Sequence, residues 1–233
     1  MKKVSTLLVF CIFSYLLFAQ KEGRMVIPLN GEWGVNHHDS NPPKTSWGTP
    51  VESTSEEIRQ LLESRYASIF QNRSPRCLGS LYFIWASGWN LTPTWFSALI
   101  EKNTTIGING ETTAIADALQ RSWTGVSPTQ TAPVVTDIYI NNTKPLGNNI
   151  RVNAGATFTG KVDATDRKSN MMTYVWEILK DTGNRSGGTV FTTKTYVNTM
   201  TASVAERGNY RLYVYVLDGT GRAGTANAPF QVQ

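Results

Sequence analysis

Hydrophobic and polar positions alternate in short runs over the C-terminal part of the chain. Val135-Thr-Asp-Ile-Tyr-Ile140 alternates and is followed by the turn residues Asn141 and Asn142. Thr157-Phe-Thr-Gly-Lys-Val162 alternates again, and Met172-Thr-Tyr-Val-Trp-Glu-Ile-Leu179 sets Tyr174, Trp176 and Ile178 on one face. Asn209-Tyr-Arg-Leu-Tyr-Val-Tyr-Val-Leu217 is the strongest strand pattern, and Asp218-Gly-Thr-Gly221 then turns into a closing strand over residues 225–232. Short period-two runs punctuated by Gly, Asn and Asp predict a β-sandwich. Trp176 is expected in its core, and Gly187-Gly188 is read as a loop.

Earlier in the chain the pattern is mixed. Met25-Val-Ile-Pro-Leu29 is a short apolar run that ends at Asn30-Gly31-Glu32. A loop rich in Pro, Gly and Asn follows to about Pro50. Ser53 or Ser55 is placed to cap a helix, with Glu56 and Glu57 at its positive end and Ile58, Leu61, Leu62, Tyr66 and Ile69 on its apolar face. Residues 79–85 read as a buried strand, Trp89 and Trp95 lie in the next loop, and residues 111–123 read as a second helix. Strand, helix, strand, helix predicts parallel α/β units. Pro and Thr mark residues 127–133 as a linker between this segment, 20–126, and the sandwich, 134–233.

The first residues add a compartment. Lys2 and Lys3 precede an almost unbroken apolar run to Phe18, and Ala19 supplies a small residue for cleavage before Gln20. Residues 1–19 therefore read as a secretory signal peptide, too short for a membrane span. No later segment is apolar enough to cross a bilayer. The formal charge is +5, of which two leave with Lys2 and Lys3. The remaining basic residues are scattered rather than clustered with aromatics, which argues against a nucleic-acid partner. Only Cys77 of the two cysteines would survive cleavage, so no internal disulfide is expected, and a buried structural thiol is the simplest reading.

Five stretches within residues 25–125 together resemble the end of a retaining glycoside hydrolase barrel of a secreted Bacteroidetes-type group. Val26-Ile-Pro-Leu-Asn-Gly-Glu32-Trp-Gly34 resembles the seventh strand, which carries the nucleophilic glutamate. Cys77-Leu-Gly-Ser-Leu-Tyr-Phe-Ile-Trp85 and Thr92-Pro-Thr-Trp-Phe96 resemble the eighth strand and its loop, and residues 114–125 resemble the last helix. Lys44-Thr-Ser-Trp-Gly-Thr-Pro-Val-Glu-Ser-Thr-Ser-Glu-Glu57 resembles the connection between them. Past the linker, Val162-Asp-Ala-Thr-Asp166 with Thr173-Tyr-Val-Trp-Glu177 looks like an appended PKD- or cadherin-like immunoglobulin-fold domain.

The resemblance implies an α/β partial (β/α) barrel segment, its last two units only, followed by an all-β immunoglobulin-like sandwich. It implies Glu32 at the nucleophile position, Trp85 as a sugar platform, and His37 or His38 on the same rim. Without the resemblance, Glu32 beside Gly31 and Gly34 is an ordinary polar loop residue. A retaining glycosidase needs a second carboxylate about 5 Å from the first, and the strand that would carry it is missing. The chain is therefore expected to be exported, associated with polysaccharide and not catalytic alone. The alternative is a non-catalytic carbohydrate-binding or spacer module acting through the sandwich. Trp89 and Trp95 suit either a carbohydrate platform or apolar surface covered by absent barrel units. Asp163, Asp166 and Asp218 resemble calcium-binding loop acids, but turn chemistry accounts for them without a metal. No cofactor is expected.

Overall fold

The structure is a computed structural model that describes residues 42–68, 80, 82, 85, 86, 92–168, 171–181 and 186–233. The signal peptide, Glu32, His37, His38, Cys77 and Trp89 lie outside the described residues. The compact unit Asn41–Gln233 contains two helices and nine strands among the described residues. They are α1 (Ser55–Tyr66), β1 (Thr112–Thr113), α2 (Ala114–Thr124), β2 (Val134–Ile140), β3 (Arg151–Val152), β4 (Thr157–Thr165), β5 (Thr173–Asp181), β6 (Ser186–Thr195), β7 (Thr199–Ser203), β8 (Gly208–Leu217) and β9 (Arg222–Val232).

Two sheets face each other. One has the order β2-β4-β7, and the other has β1-β9-β8-β5-β6 with β3 also on β9. The long neighbours pair antiparallel, whereas β1 and β3 run parallel to opposite ends of β9. Alternate residues of each strand meet between the sheets: Val135, Ile138, Phe158 and Val162 from one side, Tyr174, Trp176, Ile178, Leu212, Val214 and Phe230 from the other. Trp176 is fully buried, as its period-two pattern predicts, and its indole N–H donates to Thr195 Oγ1 at 3.1 Å. The Asp218–Gly221 turn joins β8 to β9, with Gly219 and Gly221 at φ 75° and 86°.

The larger sheet is buried on both faces. Val175 and Leu179 of β5, Tyr213, Tyr215 and Leu217 of β8, and Ala223 of β9 point away from the sandwich core and pack against Ile100 and Ile108. Strands covered on both sides show continuous rather than alternating apolarity. That is why β8 reads as the strongest strand in the chain: Tyr213 and Tyr215 serve one face, Leu212, Val214 and Val216 the other.

The covering layer corrects the barrel expectation. Among the described residues there is no β/α barrel portion. Where residues 79–85 suggest a buried strand, Ser80 and Tyr82 have no regular structure and Trp85 lies in a bend. Ala86 makes one parallel bridge to Leu99, which bridges antiparallel to Thr112. Thr112 and Thr113 then pair with Arg222 and Ala223, so this segment joins the sandwich's own sheet. The physical reason is burial. An open pair of β/α units would leave edges and an apolar face in water, and the outer face of the larger sheet needs a cover of the same kind. Each buries the other.

The helices form a small satellite core, where Ile58 and Leu62 of α1 meet Ile115 and Leu119 of α2 with Ala98 and Phe96. The cap of α1 is Thr54, not Ser53 or Ser55. Thr54 Oγ1 accepts from the Glu57 N–H at 3.2 Å, and Glu57 Oε2 accepts from the Thr54 N–H at 2.7 Å, a reciprocal capping box. Ser55 instead ties the helix to the sandwich, its Oγ accepting the Thr225 N–H of β9 at 2.9 Å. Gly125 ends α2 in the left-handed conformation (φ 72°). Gly187 and Gly188 lie inside β6 rather than in a loop. β6 is an edge strand, where glycine and polar residues are tolerated.

Candidate functional site

The covering segment presents an exposed aromatic cluster. Trp85 and Trp123 are 46% and 43% exposed, and their ring centroids lie 6.0 Å apart with the planes tilted by 59°. Tyr82 meets Trp85 edge-on at 6.3 Å. Local bonds hold these rings. The Trp123 indole N–H donates to Ser80 Oγ at 2.8 Å, and the Tyr82 hydroxyl donates to the Phe96 carbonyl at 2.5 Å. Burial pushes the Tyr82 phenol above its usual pKa, which keeps it a donor. Trp123 is positioned by the last turn of α2, and Gly125 ends the helix just beyond it.

Trp85, expected at the end of a strand, lies in a bend and is exposed. Trp95, the other described candidate, is half-buried and packs on Phe96 with centroids 5.7 Å apart. Trp123 was not among the sequence candidates. Its signal was an indole at the C-terminal turn of an amphipathic helix, four residues beyond Leu119 and so in line with the Ile115–Leu119 stripe. The chain between Trp85 and Trp123 gives no indication that the two rings meet.

A second cluster is buried on the outer face of the larger sheet. Arg211 of β8, only 2% exposed, donates to Asn227 Oδ1 at 2.6 Å and to the Pro50 carbonyl at 2.8 Å, with Glu52 and Asp181 carboxylates each at 3.4 Å. Glu52 in turn accepts from Thr92 Oγ1 (2.6 Å), Thr94 Oγ1 (3.1 Å) and Asn227 Nδ2 (2.5 Å). Glu52 and Asn227 also line a cleft of about 450 Å³ with Val51, Thr54, Asp137 and Lys144. Its polar walls are already committed. Glu52 is held by the network, Thr54 by the helix cap, and Asp137 by Lys144 at 2.6 Å. This cluster fastens the covering segment to the sheet.

The acids singled out in the sandwich make local bonds. Asp218 accepts from the Thr220 N–H (2.8 Å), the Thr220 hydroxyl (2.6 Å) and the Arg222 N–H (3.2 Å), which is turn chemistry. Asp166 accepts from the Lys168 N–H at 2.6 Å. Asp163 pairs with Lys161 and accepts from the Tyr139 hydroxyl at 2.9 Å, and the Lys161 contact holds its carboxyl below the usual range. Among the described residues, no three His, Cys, Asp or Glu side chains are grouped to hold a metal ion. No helix among them is long and apolar enough to cross a membrane.

No protein-family model and no curated protein matches the sequence. Among solved structures, the chain is similar to a carbohydrate-binding module of the β-sandwich superfamily, at 17% identity and a TM-score of 0.34. That match covers 46% of this chain and 36% of the other. The PKD1 domain of Vibrio anguillarum Epp is similar at 15% identity and a TM-score of 0.31, covering 45% of this chain and 96% of that domain. A PKD domain of an M14-like peptidase from a Thermoplasmatales archaeon is similar at 16% identity and a TM-score of 0.27, covering 43% and 92%. At these scores the likenesses carry no weight for function. What the strand order establishes by itself is a β-sandwich with a helical cover.

Proposed function

We propose that this chain is an exported, non-catalytic β-sandwich protein that binds polysaccharide through the surface formed by Trp85 and Trp123. The observation that carries the reading is the pair itself: two indoles, each nearly half exposed, Trp123 tied to Ser80 and Trp85 in ring contact with Tyr82 and Trp123. A contiguous exposed apolar patch marks a binding surface, whereas single exposed hydrophobics do not. The negative face of an indole attracts the weakly positive C–H face of a pyranose, and fixed rings lose little conformational freedom on binding. Export rests on the signal-peptide pattern of residues 1–19. The glycosidase reading gave Glu32 its role through a barrel, and no barrel portion is present among the described residues.

The test is retardation of the full mature chain in native gels containing a panel of polysaccharides. At least one polysaccharide slows the wild-type chain, and Trp123→Ala weakens that binding by about tenfold. A chain that migrates unchanged across the whole panel contradicts the reading.

A further inference from the structure

We infer that the ligand of the Trp85–Trp123 surface is a neutral polysaccharide met as a single chain in solution, not a crystalline polysaccharide face; this rests on the binding reading above. The argument is geometric. A crystalline face is flat, so aromatic residues that bind it must lie in one plane. Here the two indole planes differ by 59°, and Tyr82 stands at 82° to Trp85. Only one ring at a time can lie flat on a planar surface. Neither indole is free to swing into register, since Trp123 is tied to Ser80 and Trp85 is wedged between Tyr82 and Trp123. The Trp85 carbonyl also accepts the Leu99 N–H at 2.7 Å, which fixes its backbone.

A single chain meets the same surface differently. Rotation about its glycosidic bonds turns successive sugars relative to one another, so neighbouring units can each present a C–H face to one tilted ring. The separation of 6.0 Å between centroids is on the scale of one sugar unit. Charge selects for a neutral chain. Two arginines of the adjoining helices are paired with one acid: Arg121 with Glu63 at 2.9 Å, and Arg59 with Glu63 at 2.6 Å. Arg121 also donates to Ser127 Oγ at 3.0 Å. An acidic polysaccharide would find no uncommitted cation in this set.

The experiment sets the full mature chain against two forms of ligand. One arm is electrophoresis through gels containing soluble neutral glucan, xylan or galactomannan, with soluble polygalacturonate as the acidic comparison. The other is co-sedimentation with crystalline cellulose and crystalline chitin. The expected result is retardation by at least one soluble neutral polymer, about tenfold weaker in Trp85→Ala and in Trp123→Ala. Polygalacturonate gives no retardation, and the crystalline solids leave the protein in the supernatant. Trp85→Tyr keeps a ring at the site and retains binding within about threefold, which separates loss of the platform from loss of the fold. Depletion onto a crystalline solid, or retardation by polygalacturonate alone, overturns this inference while leaving polysaccharide binding in place. No interaction in either arm overturns both.

Discussion

At Arg211 the guanidinium meets four groups drawn from three parts of the chain. Asp181 and Asn227 belong to neighbouring strands, and Glu52 and the Pro50 carbonyl belong to the covering segment. A buried ion pair often contributes little relative to an apolar substitute, but removing one partner leaves the other charge stranded. Arg211→Leu removes the cation that faces two carboxylates, Glu52 and Asp181, and is expected to cost about 3 kcal/mol in denaturant unfolding. Glu56 reports on pH. Burial alone would raise its carboxyl, but bidentate bonds from Arg59 at 2.6 and 2.7 Å and one from Gln60 at 3.0 Å outweigh it and hold the pKa below 4.5. The folded carboxyl therefore binds its proton less readily than the unfolded one. Its contribution is complete above pH 4.5 and is lost as pH falls through the folded value. Glu56→Gln removes that dependence, so the fall in Tm between pH 7 and acid is predicted to be smaller in the variant than in the wild type.

Among the elements, β9 organises the molecule. It pairs with β8 along its length, takes β1 and β3 at its two ends, and receives the Ser55 contact from the start of α1. At Gly224 it passes so close to the start of β2 that a Cβ would collide with the Pro133 carbonyl oxygen and stand 2.6 Å from Val135 Cγ2. Gly224→Ala must push β2 away and is predicted to destabilise by about 2 kcal/mol, read as a fall in the denaturant midpoint. β4 was legible because alternate residues face a core and period two records that, and β5 and β8 because both their faces are covered and the run is continuously apolar. β6 and β7 were not. β6 lies at an edge with most of its side chains in water, so no burial period marks Ser186–Thr195. β7, Thr199–Ser203, buries only Met200 and Ala202, too few for a pattern. For the helices the sequence carried the apolar faces but not the choice of Thr54 as the cap, because Ser53, Thr54 and Ser55 offer similar hydroxyls.

For the molecule as a whole, the barrel expectation failed on the question of what the helices pack against. Motif order across residues 25–125 resembled the last two β/α units of a barrel, and the described residues do hold two helices. What local sequence did not carry was that Ile100, Ile106 and Ile108, between the two helices, cover the outer face of the larger sheet. The outer face of the larger sheet is written in Val175, Leu179, Tyr213 and Tyr215, more than a hundred residues from some of the segment that covers it. The candidate site is legible to the same extent: Trp85 stood out as the aromatic closing the expected strand 79–85, while its pairing with Trp123 depends on how the cover folds back. The central claim is that residues 92–124 are a layer of the sandwich and not a separable remnant. Limited proteolysis of the full chain, read by mass spectrometry, tests it most directly. The prediction is a protected core that retains 92–124 together with 134–233 and loses both in one cooperative step. A stable fragment beginning near residue 130, with everything before it digested away, would contradict the account.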